Sequence, residues 1–271
     1  TNSLGKYVRK SSVNLDYEGI ALAHIRVESE LPPVGVKRLC EDKYERLIFP
    51  EGKVVDWLTY PELRYIEELG IGKVERVEEA FEYRIWWYPF RDYILDLYRK
   101  RLEVKDKNEV LNKFYKLLMN SLYGKFGEWK DGKWLILEGD VVKEEEVKEQ
   151  RKRDRFYQNF VWASYITAYA RLKLHEYMRK VPYRKLYYCD TDSVICAYSL
   201  DHLCGSELGQ LKLEGIAPKG RATFVRSKFY IFDTAVRLKG FYGIHEGDLI
   251  RAMLITGINI IPQPLILKYK E

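Results

Sequence analysis

Apolar and polar positions along this chain fall into short runs whose period switches between two and about 3.6 residues. From Ala21 to Leu31 they alternate as in a half-buried strand, and Pro32-Pro33 ends the run because proline cannot donate to a ladder. Tyr60 to Leu69 has helical spacing, with Thr59 as N-cap, Pro61 in the first turn and Gly70 as the stop. Val74 to Trp87 returns to a strand pattern rich in aromatic residues. Phe90 to Val104 is helical by period, with Ile94, Leu97, Tyr98 and Leu102 apolar. After the polar break Lys105-Asp106-Lys107-Asn108, a second helix runs from Glu109 to Tyr123 and stops at Gly124. So short a loop forces the two helices antiparallel.

The second half reads differently. Trp129 to Val142 alternates around Asp131-Gly132, a hairpin signal, and Lys143 to Arg155 is a run of mixed charge expected as a solvated insertion. A long helix is expected from Phe160 to Met178. Lys185 to Cys189, the turn Asp190-Thr191-Asp192, and Ser193 to Tyr198 make a second hairpin; Phe224 to Phe232 and Val236 to Ile244 are strand-like. Strands and helices do not alternate as in βαβ units. The expected class is α+β, an antiparallel sheet packed on helices with a projecting helical hairpin.

Composition narrows the function classes. With 46% hydrophobic residues among 271, the chain can bury a core, and a largely disordered protein is excluded. No run approaches the roughly 18 apolar residues of a membrane span, so no membrane partner is expected. No secretion signal is visible at Thr1-Asn2-Ser3-Leu4, which points to the cytoplasm. The net charge of +6 permits a polyanionic partner without requiring one. Cys40, Cys189, Cys196 and Cys204 form no CxxC pair, which disfavours structural zinc; Cys189 and Cys196, in apolar runs, read as reduced buried thiols. Glutamine occurs only at Gln150, Gln158, Gln210 and Gln263 while Lys, Glu, Ile and Tyr abound, a bias of proteins from hot environments.

Two constellations carry chemistry. In Tyr187-Tyr188-Cys189-Asp190-Thr191-Asp192-Ser193-Val194-Ile195, two apolar runs meet at a turn bearing carboxylates at i and i+2, where both can face one hard cation. The bland alternative is a polar Asx-type turn. On the helix from Glu109, Leu111, Phe114, Tyr115, Leu118 and Leu122 form one stripe, while Lys116, Asn120 and Tyr123 align on the opposite side with Lys113 beside them. An ammonium, an amide and an aromatic ring suit a nucleotide's phosphate, polar edge and base. Arg101 and Lys105 could add phosphate contacts. The alternative is an ordinary solvated face.

Lys116-x3-Asn120-Ser121-x-Tyr123-Gly124 resembles the fingers motif of family B DNA polymerases, and Tyr188-x-Asp190-Thr191-Asp192-Ser193 resembles their palm metal motif. Asn120 to Phe126, the segment Ile166-Thr167-Ala168-Tyr169-Ala170-Arg171, His24-Ile25-Arg26, and Arg226-x-Lys228-x-Tyr230 are similar to the protein-primed branch found in phages, plasmids and archaeal viruses. The resemblance implies that Asp190 and Asp192 help hold two Mg2+ (or Mn2+) ions, that Lys116 contacts the incoming triphosphate, and that Tyr123 packs at the nascent pair. It implies that Lys228 and Tyr230 grip the primer terminus, with Arg226, Arg221, Arg171, Ser121 and Gly124 also toward DNA. The implied division is 1–88 first part of the palm, 89–126 fingers, 127–158 insertion, 159–236 second part of the palm with the metal hairpin, and 237–271 a reduced thumb.

The family's earlier palm motif, an Asp followed by Ser-Leu-Tyr-Pro, has no counterpart here; Asn2-Ser3-Leu4 is followed by Gly5-Lys6. The expectation is therefore a C-terminal polymerase portion, acting on DNA template, primer and dNTP. A further polypeptide would carry the missing palm motif and an exonuclease, and a terminal protein is a possible primer. The expected location is the cytoplasm of a prokaryote or of a cell hosting a virus or plasmid. Two competing readings are a non-catalytic DNA-binding palm-like subunit, which would need its arginines but not its acids, and a glycosyltransferase using Asp-x-Asp. The antiparallel pattern disfavours the latter.

Overall fold

The computed structural model describes residues 7–39, 45–83, 88–127, 133–138, 141–146, 159–217, 222–226, 228–232, 235–238 and 265–269. The chain divides into two compact units, 1–30 with 36–169, and 31–35 with 170–271.

In the first unit, β1 (Tyr7–Lys10), β2 (Glu18–Val27), β5 (Gly52–Thr59) and β6 (Gly72–Tyr83) form one antiparallel sheet in the order β1-β6-β2-β5. A small hairpin of β3 (Val36–Leu39) and β4 (Glu45–Ile48) lies between β2 and β5 in sequence. Period-two alternation sets the two faces of β2 apart. Gly19, Ala21, Ala23, Ile25 and Val27 are buried, facing the helix α1 (Tyr60–Glu68), whose Tyr60, Leu63 and Ile66 are fully buried. The other face carries cross-strand ion pairs, His24 to Glu78 at 2.6 Å and Arg26 to Glu75 at 2.7 Å. The small side chains are required there: a Cβ on Gly19 would lie 2.5 Å from the Phe81 carbonyl oxygen and 2.8 Å from the Tyr60 ring. Glu82 is fully buried beside Lys10, whose Nζ stands 2.9 Å from its carboxylate, and burial together with that charge pushes the Tyr60 hydroxyl up to about 12.

The helices α2 (Arg91–Val104) and α3 (Glu109–Phe126) form the expected antiparallel hairpin, with the Asn108 side chain accepting the Leu111 N–H at 3.0 Å as N-cap. Gly124 does not end α3. The helix continues to a Gly127 cap because Phe126 is buried against Phe90 and Trp162, with ring centroids 5.0 Å apart in each pair. The next hairpin pairs β7 (Lys133–Glu138) with β8 (Val141–Glu146); the expected turn at Asp131-Gly132 lies outside the described residues, as does the charged run after Glu146. Helix α4 (Phe160–Met178) has the expected bounds, with the Asn159 side chain capping the Trp162 N–H at 3.0 Å. The division between units falls within it. Its Tyr165 hydroxyl accepts the Gly19 N–H at 2.6 Å and reaches Glu18 at 2.9 Å.

In the second unit, β9 (Leu186–Asp190), β10 (Ser193–Cys196), β11 (Leu211–Ile216) and β15 (Leu265–Tyr269) form an antiparallel sheet in the order β11-β15-β10-β9. β10 is buried on both faces. Val194 and Cys196 pack in a cluster with Leu174, Tyr177 and Val181, while Ile195 packs with Ala217, Ala222 and Phe232. Cys196 matches the buried reading, whereas Cys189, on the edge strand β9, is exposed. The run from Phe224 to Phe232 is two strands, β12 (Ala222–Arg226) and β13 (Phe229–Phe232), folded back at Lys228, with β14 (Ala235–Leu238) beside β13; the remainder of Val236 to Ile244 lies outside the described residues. Among the described residues, no helix is long and apolar enough to cross a membrane.

Candidate active site

The tip of the β9–β10 hairpin is built by its backbone. Asp190 pairs with Ser193, leaving Thr191 and Asp192 as the link. Thr191 sits at φ +51°, and the Asp192 N–H donates to the Asp190 carbonyl at 2.6 Å, the pattern of a γ-turn with the rarer sign. A β-branched residue in the left-handed region stores strain, and such strain collects at functional sites. The Ser193 hydroxyl donates to the Asp190 carbonyl at 3.0 Å, and the Thr191 hydroxyl donates to Asp190 Oδ1 at 3.0 Å. The turn thus fixes Asp190 before any ligand arrives.

A second hairpin tip meets the first. Lys228, in the turn between β12 and β13, has φ +61°, the other non-glycine residue with positive φ among those described. Its N–H donates to the Tyr188 hydroxyl at 2.8 Å, and its Nζ donates to Asp190 Oδ1 at 2.6 Å and Oδ2 at 2.8 Å. Tyr188 stacks on Phe224 at 5.5 Å and lies 5.3 Å from the Tyr230 ring, with Phe224 to Tyr230 at 5.7 Å. This aromatic triad rests on the Ile195, Ala217, Ala222 and Phe232 cluster. Asp190, Lys228 and Tyr230 are therefore brought together by packing beneath the two turns, and Asp192 lies one turn residue away, partly buried.

The sequence motifs include Tyr188 but give no reason to place it under Lys228. Nor do they show the Asp190–Lys228 contact, because 38 residues separate its members. The one available signal was the aromatic residue immediately upstream of the acidic turn. The donor set is hard oxygen, as Mg2+ or Mn2+ requires. The fit is visible in the ammonium that spans both Asp190 oxygens, a cation held by this carboxylate. Among the described residues, no cluster of three or more His, Cys, Asp or Glu forms a metal cage.

In the first unit, Lys116, Asn120 and Tyr123 of α3 are exposed. Lys113 pairs with Glu109 at 2.6 Å, and the Ser121 hydroxyl donates to the Leu118 carbonyl at 3.1 Å. The expected apolar stripe is only half covered: Tyr115, Leu118 and Leu122 are partly buried, whereas Phe114 is 50% exposed. Arg101 Nε donates to Asn112 Oδ1 at 2.9 Å, tying α2 to α3, and Lys105 ends α2 in solvent. Gly124 lies inside the helix, and a Cβ there would meet nothing within 4 Å. Arg171 is on α4, partly buried. Arg221 and the side chain of Arg226 lie outside the described residues.

Residues 3–196 match the family described as DNA polymerase type B, organellar and viral. A DNA polymerase of Acidianus bottle-shaped virus (isolate Italy/Pozzuoli) is 34% identical over 157 residues, 56% of this chain and 20% of its own. The DNA polymerase of Bacillus phage phi29 is 29% identical over 256 residues, 84% of this chain and 40% of its own. The chain thus spans less than half the length of these curated relatives. The solved phi29 DNA polymerase, in its orthorhombic crystal form, matches with TM-score 0.60 at 16% identity, over 97% of this chain and 53% of that one. Its ternary complex with primer-template DNA and incoming nucleotide substrates matches with TM-score 0.57 at 16% identity, over 96% and 46%. At such identity the structures establish the fold, and the match to residues 3–196 establishes the family: this chain belongs to the organellar and viral type B DNA polymerases.

Proposed function

We propose that this chain is the palm and fingers portion of a template-directed DNA polymerase of the protein-primed branch. It would transfer a nucleotide from dNTP to a primer 3′-hydroxyl. The observation that carries this reading is the hairpin tip at which a strained turn fixes Asp190 with both oxygens turned to a cation, in a chain of this family. Asp190 and Asp192 would hold Mg2+ or Mn2+. When bound, such ions would supply Lewis-acid activation of the primer hydroxyl and neutralise charge on the leaving phosphates. The third carboxylate of such a cage would come from another segment or chain, in this reading a polypeptide carrying the earlier palm motif and the exonuclease. A terminal protein could serve as primer.

Lys116 would meet the triphosphate as a point charge, Asn120 and Tyr123 the nucleotide, and Tyr230 and Lys228 the primer end. The open helical surface at Gly124 supports close approach of a ligand to α3. The division into palm at 1–88 and 159–236, fingers at 89–126, insertion at 127–158 and thumb at 237–271 belongs to this reading.

A second reading, a DNA-binding subunit without chemistry, has one observation in its favour. Lys228 relieves the like-charge cost of the acidic turn, so the two acids can persist without a metal. Primer extension decides between them. Supplied with the complementing polypeptide, the chain should incorporate dNTP, and Asp192→Asn should lower the rate by about 100-fold or more, as loss of one charged ligand at a two-metal centre entails. DNA binding that survives Asp192→Asn, with no incorporation by either form, would leave the binding subunit as the answer.

A further inference from the structure

We propose that Lys228 is an exchangeable internal counter-cation of Asp190, occupying that carboxylate until a divalent ion displaces it and frees the ammonium for the primer. The inference rests on the metal reading of Asp190 and adds to it a positioning role that the primer contact alone does not require.

The geometry is specific. Nζ lies at 2.6 and 2.8 Å from the two oxygens of one carboxylate, so it sits in the bidentate position between them that a chelated metal would take. The lysine is not there by accident of a long, mobile side chain. Its backbone is held at φ +61°, a conformation that side-chain-bearing residues rarely adopt, and its N–H is tied to the Tyr188 hydroxyl two residues before Asp190 on the same strand. The aromatic triad of Tyr188, Phe224 and Tyr230 packs the two hairpins beneath that contact. The pair is also exchangeable. The Lys228 side chain keeps 44% of its accessible surface and that of Asp190 24%, so water and ions reach the contact, and a pair this exposed is weak. A divalent ion carries twice the charge and competes directly. Once displaced, the ammonium stays tethered within a side chain's length of Asp190, next to Tyr230.

Two measurements on the full chain test this. Lys228 acylation by an amine-specific reagent, read by mass spectrometry, should be slow without divalent ion and should rise several-fold with Mg2+. In Asp190→Asn it should be fast under both conditions. An unchanged rate in the wild type, with Mg2+ shown to bind, overturns the proposal without any variant that might misfold. Direct Mn2+ titration by electron paramagnetic resonance should show Lys228→Met binding about two- to fivefold tighter than wild type, the factor by which a partly exposed ion pair competes. Lys228→Arg, which keeps the charge, should not gain. Equal or weaker binding by Lys228→Met defeats the exchange while leaving the metal site standing. Mn2+ binding by neither form, or binding that survives Asp190→Asn together with Asp192→Asn, defeats the metal reading itself.

Discussion

Gly124 offers a test in which stability and binding should move in opposite directions. It lies within α3, three residues before the Gly127 cap, on an exposed stretch where an added methyl would meet nothing within 4 Å. Alanine there removes glycine's excess backbone freedom without a clash, so Gly124→Ala should stabilise the fold by about 0.5–1 kcal/mol. For a chain of this size, that raises the thermal midpoint by about 1–3 °C. The open surface at this glycine, next to Tyr123 and near Asn120, leaves room for a ligand to approach the helix. The same methyl should therefore weaken primer-template binding in the presence of dNTP by about fivefold or more, the penalty for overfilling a fitted contact. Circular dichroism melting and fluorescence anisotropy on the same preparation give both numbers. A lower midpoint would refute the helical geometry at residue 124, and a higher midpoint with unchanged affinity would refute the ligand-facing role of this surface.

Other expectations follow from buried polar groups. Tyr165, 2% exposed, accepts the Gly19 N–H, and Tyr165→Phe strands that donor inside the first unit; urea unfolding should show a loss of about 1–3 kcal/mol, and a loss below about 0.5 kcal/mol would show the N–H to be satisfied otherwise. Burial holds His175 below its ordinary 6.5, opposed in part by its hydrogen bond to the Leu31 carbonyl at 2.7 Å. The unfolded chain then takes up a proton near pH 6.5 while the folded chain does so only at lower pH. Stability should be full above about pH 7 and fall as the pH drops below 6.5, by about 1.4 kcal/mol per unit of depression. Urea midpoints from pH 7.5 to 5.5 should fall less steeply in His175→Gln, and equal slopes would remove His175 from the balance.

Much of this architecture was legible in the residues, and the misses have physical causes. The period of Phe160 to Met178 fixed α4, and Thr59-Tyr60-Pro61 placed the start of α1, because caps and periodicity are local properties. Gly124 misled as a stop because Phe126, packed on Phe90 and Trp162, holds the last turn helical beyond it. The run from Phe224 to Phe232 read as one strand because nothing in a lysine announces the positive φ that folds it in two. The acidic turn was visible as a motif. Its pairing with Lys228, and the burial of Glu82 beside Lys10, were not, since both depend on which strands become neighbours. The helix face of Lys116, Asn120 and Tyr123 was read from spacing alone, while the Arg101–Asn112 tie between helices needed the hairpin's register.

Anomalous diffraction from crystals soaked in Mn2+ shows whether the acidic turn holds a metal. A Mn2+ peak is expected about 2.1–2.3 Å from carboxylate oxygens of Asp190 and Asp192, with Lys228 Nζ moved off Asp190. Well-ordered Asp190 and Asp192 with no peak, Lys228 still seated on the carboxylate, at Mn2+ concentrations that occupy sites elsewhere in the crystal, would contradict it.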